Sequence, residues 1–191
     1  MCSSRRRQIL DAALRRFDHY GYRKTTMVEI AQEAGVSVGA LYLIFKNKED
    51  ILLADAESRC QLLLKEMHEA RHQTPTPVAR LEAVNRTRLL YLNRLCASSP
   101  HGEELVRLLR DRFCDLHRGY LQQELRLLEE ILLEGVAAGV FQIEDVPSTA
   151  VCCHAAFAAF LPPFSSGLTE QQLVRAAARM TGLLVNGLRA R

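Results

Sequence analysis

The sequence predicts an all-α protein of nine helices, and three observations carry that reading. Apolar residues recur at three- and four-residue spacing in segment after segment, the mark of one buried helical face. Capping residues and glycine or proline stops bracket those segments where helices should begin and end. No stretch reads as a credible strand, and no internal repeat is present.

Ser3 or Ser4 opens the first helix, which sets Ile9, Ala12, Ala13 and Phe17 on one face and ends at Gly21. Thr26 caps the second, with Glu29 three residues on to close a capping box. Its apolar stripe is Ile30, Ala31 and Ala34, and Gly35 follows where a helix end favours positive φ. Ser37 caps a third, in which Leu41 and Phe45 form an inward-facing i,i+4 pair. Asn47 caps a fourth, a rod carrying Leu52, Ala56, Leu63, Leu64 and Met67 that stops at Thr74-Pro75-Thr76-Pro77. Five more are predicted at about 78–97, 102–110, 112–138, 147–161 and 169–190. The breaks between them fall at Ser98-Ser99-Pro100, Gly139, Pro162-Pro163 and around Ser165-Ser166-Gly167, and Thr169 with Gln172 gives another capping box.

The second and third helices, joined by a tight turn, make a helix-turn-helix whose second member can lie in a DNA major groove. Charge supports that use. Residues 1–48 carry nine Lys/Arg against four Asp/Glu, and residues 49–191 carry sixteen against eighteen, so a net charge of +3 conceals a basic head on a slightly acidic body. Arg5, Arg6, Arg7, Arg15, Arg16, Arg23, Lys24, Lys46 and Lys48 gather where the helix-turn-helix sits.

The pieces Thr25-Thr26, Ile30-Ala31, Ala34-Gly35-Val36-Ser37, Gly39, Leu41-Tyr42, Phe45 and Asn47-Lys48-Glu49 together resemble the TetR (tetracycline-repressor) family. The resemblance covers roughly the first 55 residues. Ile44 stands where the family usually has His or Tyr, a departure that bears on a DNA-backbone contact. The resemblance implies a helix-turn-helix DNA-binding domain over residues 1–47 and a helical effector-binding and dimerisation domain over 48–191.

On the recognition helix, Val38, Ala40 and Leu43 are the side chains left outward once Leu41 and Phe45 are buried, and they suit thymine methyls. Thr25, Thr26, Tyr42, Lys46 and Lys48 are expected to anchor phosphates, beside Ser37 and Gly39 at the start of that helix. Arg5–Arg7 are expected to act as an arm reaching an adjacent groove.

In the body, Arg88 lies amid an apolar arc of Leu81, Val84, Leu92 and Leu95, with Asn85 beside it. A second arc, Phe113, Leu116, Tyr120, Leu121, Leu127, Leu128 and Ile131, contains His117 and Glu124. Buried charge is costly unless paired, so Arg88 and Glu124 either pair structurally or serve as the few polar groups of a small-molecule cavity. The family resemblance implies an effector held among these helices, here a small apolar or amphipathic one. It also implies a homodimer closed by the last two helices. Their small and aromatic residues include Ala156, Phe157, Phe160, Ala177, Met180, Gly182 and Leu184.

The six cysteines contain no CxxC and read as reduced, buried apolar residues. Cys152 and Cys153, adjacent on a helix, point about 100° apart and make a poor chelate. With no Gly-rich phosphate loop, HExxH or nucleophile motif, neither enzyme activity nor a cofactor is expected. No run approaches the roughly 18 apolar residues of a bilayer span, and MCSSRRR lacks the apolar core of a secretory signal, so a cytoplasmic, membrane-free protein is expected. The function this points to is a ligand-responsive regulator, most simply a repressor of a palindromic operator. An all-helical enzyme or a protein-binding adaptor is the alternative.

Overall fold

The computed structural model describes residues 2–97, 100–102, 104, 107–108, 114–161, 165 and 167–188. Among these residues the chain is helical without strands. Its elements are α1 (Cys2–Tyr20), α2 (Met27–Glu33), α3 (Val38–Tyr42), α4 (Lys48–His72), α5 (Pro77–Ala97), α6 (Cys114–Ala137), α7 (Val146–Ala156), a 3-10 turn (Ala158–Phe160) and α8 (Glu170–Leu188). Much of the helix expected at 102–110 lies outside the described residues.

Most boundaries follow the local chemistry. Thr26 and Glu29 form the reciprocal capping box of α2: Glu29 N–H donates to the Thr26 hydroxyl oxygen at 3.3 Å, and Thr26 N–H to the Glu29 carboxylate at 2.7 Å. At its other end Gly35 adopts φ +63°, Gly35 N–H bonds Gln32 O, and Val36 N–H bonds Ala31 O, the paired closure that turns the chain sharply into α3. Ser37 then accepts from Ala40 N–H at 3.1 Å, Asn47 from Asp50 N–H at 2.8 Å, and Asp145 from Ser148 N–H at 3.0 Å. Thr169 and Gln172 close the box that starts α8.

Two boundaries differ from expectation. Helix α3 stops at Tyr42 with Leu43 as its C-cap, so Phe45 lies beyond the helix expected to carry it. The helix predicted to run to Leu161 also ends early, stopping at Ala156 and tightening into the 3-10 turn. That turn leaves the Phe160 carbonyl free to accept from the Asn93 side-chain amide at 2.9 Å, while Phe157 stays buried.

The chain divides into two compact units: Met1–Cys60 with Leu95–His117, and Gln61–Arg94 with Arg118–Arg191. The first is built on Ile9, Ala12, Ala13 and Phe17 of α1, Ile30 and Ala31 of α2, Leu41, Phe45, Ile51 and Leu52, with Leu108 packed against them. The second holds two clusters. Leu81, Val84, Leu127, Leu128, Ile131 and Leu132 centre one, and Leu89, Phe157, Leu173 and Ala177 the other. Within the second unit Gly135 lies so close to Phe141 that an added Cβ would meet the ring at 2.0 Å, which fixes a glycine there.

Candidate functional site

In the first unit α3, the helix expected to read DNA, is short and divided between a buried and an exposed side. Leu41 and Phe45 are sunk in the core, so the opposite side of this short helix faces out. Tyr42 is 51% exposed and Leu43 90%. Ser37, Gly39 and Lys46 are exposed, and Val38 and Ala40 half-buried, Val38 leaning on the core. Ile44 also packs against the core.

Thr25, Lys48 and the run Arg5–Arg7, all expected at DNA, are placed otherwise. Thr25 is buried, and its hydroxyl donates to Gly21 O at 3.0 Å, so that side chain closes the turn after α1. Lys48 directs its ammonium to Tyr22 O at 2.8 Å and Thr25 O at 2.6 Å, and stands 4.6 Å from the Tyr22 ring centroid. Partial burial pushes the Lys48 pKa down, with Glu29 and Glu49 opposing the shift. Arg5, Arg6 and Arg7 lie within α1 and form an exposed basic helix start, not an extended arm. Arg7 pairs with Asp11 at 3.2 Å, and the Arg6 guanidinium sits 5.1 Å from the centroid of the Phe45 ring.

The remaining head charges have structural partners or stay free of the core. Thr26 keeps an exposed position, but its hydroxyl serves the capping box. Hydrogen bonds from the Thr26 backbone and hydroxyl hold the exposed Glu29 carboxyl below its ordinary pKa. Arg15 pairs with Glu33, and Arg16 with Glu29, both at 3.1 Å, which bolts α1 to α2.

In the second unit, three helices bring polar side chains to one point. Arg88 of α5 donates from Nε to Glu124 Oε2 of α6 at 2.7 Å, and His154 Nε2 of α7 lies 2.9 Å from that same oxygen. Arg88 retains 9% and Glu124 12% side-chain exposure. Burial pushes the Glu124 carboxyl pKa up, but the His154 hydrogen bond and the Arg88 charge outweigh it and hold it below its ordinary value. Arg88 Nη1 is buried and finds no partner among the described residues. His154 was legible only as a neighbour of Cys152 and Cys153; a polar residue one position past the buried Cys153, on a half-buried face, was the signal that could have found it.

The other expected effector contacts divide. Asn85 is buried, yet its amide donates to Leu81 O of its own helix at 2.9 Å. Leu92 packs on the core, and Tyr120 is half-buried. His117 is exposed, a correction to its expected place in the apolar arc, because the start of α6 turns that position to solvent. Phe113 lies outside the described residues.

Among the residues expected at an interface between copies, Phe157 and Ala177 are filled positions of the chain's own core, each 1% exposed. Phe160, Met180 and Leu184 pack partly against them, Ala156 is half-buried and Gly182 exposed. Beside Gly182, Leu183 stands 70% exposed, and an open groove runs past it between Phe160, Ala176, Arg179 and Met180.

No group of three His, Cys, Asp or Glu among the described residues could hold a metal ion. The buried Cys153 thiol is pushed up to about 11, by burial first and by Cys152 second. No described helix is long and apolar enough to cross a membrane.

Residues 9–54 match the family described as bacterial regulatory proteins, tetR family. A fatty acid metabolism regulator protein of Bacillus subtilis (strain 168) is 30% identical over 136 residues, 69% of this chain and 68% of that protein. The HTH-type transcriptional regulator HbdR of Aromatoleum sp. (strain CIB) is 36% identical over 81 residues, which span 42% of this chain and 35% of HbdR. Among solved structures, a TetR/AcrR-family regulator from Thermobifida fusca YX-ER1 superposes with a TM-score of 0.74 at 26% identity, over 98% of this chain and 100% of that one. The regulator FadR from Bacillus subtilis, solved in complex with stearoyl-CoA, gives 0.71 at 27% identity, over 95% and 98% of the two chains.

Proposed function

We infer from one premise, that this chain belongs to the TetR family of bacterial regulatory proteins and is a transcriptional regulator and not an enzyme, that it is a ligand-released repressor. It binds a palindromic operator as a homodimer. Residues 1–47 act as its DNA-binding domain and 48–191 as its effector-binding and dimerisation domain. The observation that carries the reading is the presentation of α3 and the turn that follows it: Ser37 caps the N-terminus, Leu41 and Phe45 are buried, and Tyr42 and Leu43 are bare.

That geometry suits a helix seated in a major groove, with Leu43 against thymine methyls, Tyr42 and Lys46 at the phosphates, and Arg5–Arg7 adding positive potential. One half-site gives too little affinity and specificity on its own, so two heads are needed, spaced by the dimer about one helical turn of DNA or a multiple apart. The exposed stripe at Gly182 and Leu183 supports a second copy docking along α8.

The effector we assign is a long-chain acyl compound such as an acyl thioester. Similarity to the Bacillus subtilis regulators, one of them solved with stearoyl-CoA, supports that class. Release then follows from population shift: an effector that binds better to a conformation with mismatched head spacing lowers operator affinity by its differential affinity for the two states.

The test is an operator selection from random DNA followed by gel shifts over a salt series. A palindromic site, affinity falling steeply with salt, and release by stearoyl-CoA are expected. Binding without sequence preference, or no DNA binding at all, would remove the reading.

A further inference from the structure

We propose that Nη1 of Arg88 is the point at which this protein holds an uncharged acceptor oxygen of its effector, the carbonyl of an acyl thioester or ester, in preference to a carboxylate. The proposal rests on the effector-responsive reading above and assigns the polar anchor of that site.

Arg88 carries an unmatched donor. A guanidinium offers five N–H groups in a fixed fork. Arg88 uses Nε on Glu124 Oε2, and Nη1 is buried without a partner among the described residues. Folded proteins leave few buried polar groups unpaired, and those that remain call for a role or for a missing water or ligand. Its neighbours do not supply the acceptor. The Asn85 amide donates its N–H to Leu81 O, His154 Nε2 is directed to Glu124 Oε2, and no acceptor among the described residues lies within hydrogen-bond reach of Nη1.

Charge then selects the kind of acceptor. Glu124 already matches the positive charge of Arg88, and the same carboxylate oxygen meets His154. An incoming carboxylate would add a second negative charge at a buried, already balanced pair, which is costly in a medium of low polarity. A neutral carbonyl accepts from Nη1 and adds none. Val84, Leu89, Leu127 and Leu128, nearby along α5 and α6, are almost wholly buried apolar residues, so the surroundings favour a chain attached to that carbonyl.

Nη1 is closed off here, so an acceptor reaches it only when the seam between α5, α6 and α7 opens. The contact is then made in the effector-bound conformation and not in this one. Such a difference in contacts is what an effector needs in order to shift a population.

The test is calorimetry on the full chain with four probes: stearoyl-CoA, its thioether analogue octadecyl-CoA, which lacks the carbonyl, stearate and CoA alone. A hydrogen bond from a charged donor predicts that the thioester binds roughly tenfold to a hundredfold tighter than the thioether. In Arg88→Lys, which keeps a cation for Glu124 but loses the fork, that preference should fall towards unity, with circular dichroism confirming the fold. The wild-type comparison stands even if the variant does not fold. Equal affinity for thioester and thioether, or tightest binding by stearate, overturns the carbonyl contact and leaves the acyl-effector reading in place. If no probe binds while operator binding persists, the acyl-effector reading falls and this proposal with it.

Discussion

Lys48 donates from its ammonium to the carbonyl oxygen of Thr25 at 2.6 Å and thereby ties the first turn of α4 to the loop before α2. Further bonds, to Tyr22 O at 2.8 Å and Arg23 O at 3.5 Å, and the Tyr22 ring 4.6 Å away hold the same ammonium. The residue that a linear reading assigns to DNA phosphate is thus spent on holding the head together. Lys48→Met keeps the apolar stem and removes the donor. It should destabilise the protein by about 1–2 kcal/mol, since hydrogen bonds to charged groups fall near that range. Operator affinity should fall with the salt dependence unchanged. A shallower slope, by about one unit of log K against log salt, would instead return Lys48 to the phosphates.

Tyr42, the last residue of α3, and Leu43, its C-cap, are adjacent and exposed, but their chemistry assigns them different work. Tyr42→Phe removes a hydroxyl suited to phosphate, so affinity should drop equally on the operator and on altered operators. Leu43→Ala removes apolar surface. Its cost, about 1–2 kcal/mol, should concentrate at the base pair that Leu43 covers. Gel shifts on a set of single-base operator variants separate the two patterns. A change of base preference from Tyr42→Phe would reverse the assignment.

Ala177 and Gly182, five positions apart on α8, should respond oppositely to a large charged side chain. Gly182 has open space where a Cβ would be built, and Leu183 beside it is exposed. Gly182→Arg or Leu183→Arg should therefore give folded monomers by sedimentation. Ala177 is 1% exposed, and Ala177→Arg would force a charge into filled core. Loss of the helical signal is expected there. Dimers that survive both surface changes would move the interface off this face.

The Glu124 carboxyl gives a pH signature. Burial raises its pKa, and the His154 hydrogen bond and Arg88 charge together hold it below the ordinary 4.5. A carboxyl whose pKa is lower folded than unfolded stabilises the fold at pH above its unfolded value. That contribution drains away as pH falls through the folded value. The melting temperature should thus drop on going from about pH 5 to pH 3, and Glu124→Gln should flatten part of that drop. Unchanged curvature in the variant would mean that other carboxylates dominate.

Arg88→Ala should be more damaging than removing the whole pair. It strands a largely buried carboxylate at a cost of about 3–5 kcal/mol, less whatever His154 recovers, whereas Arg88→Met with Glu124→Leu exchanges the pair for apolar volume. Thermal melts should place the double variant near wild type and the single variant well below it. A single variant as stable as wild type would show that His154 alone suffices for Glu124.

The sequence by itself determined the family this protein belongs to and where most of its described helices begin. Helix starts are local: Thr26, Ser37, Asn47, Asp145 and Thr169 each accept from a backbone N–H three residues ahead, so a short window contains the whole interaction. The buried stripe of α1 and the turn at Gly35 are local for the same reason, being set by helical periodicity and by backbone freedom. Even the pairing of Arg88 with Glu124 was one of two readings open in the sequence, because two charges in apolar arcs must find opposite partners.

Only the tertiary structure decided how each polar side chain is spent. Lys48 reaches back 23 residues to Thr25 O and His154 reaches 30 to Glu124, choices that no periodicity encodes. Ala177 and Gly182 are alike as small helical residues, yet one is core and the other surface, because the register of α8 against Phe157 and Leu89 selects between them. Residue type and spacing fix the face a side chain shares within its own helix. Which partner that face meets is set by the packing of helices distant in sequence, and so only the folded chain specifies it.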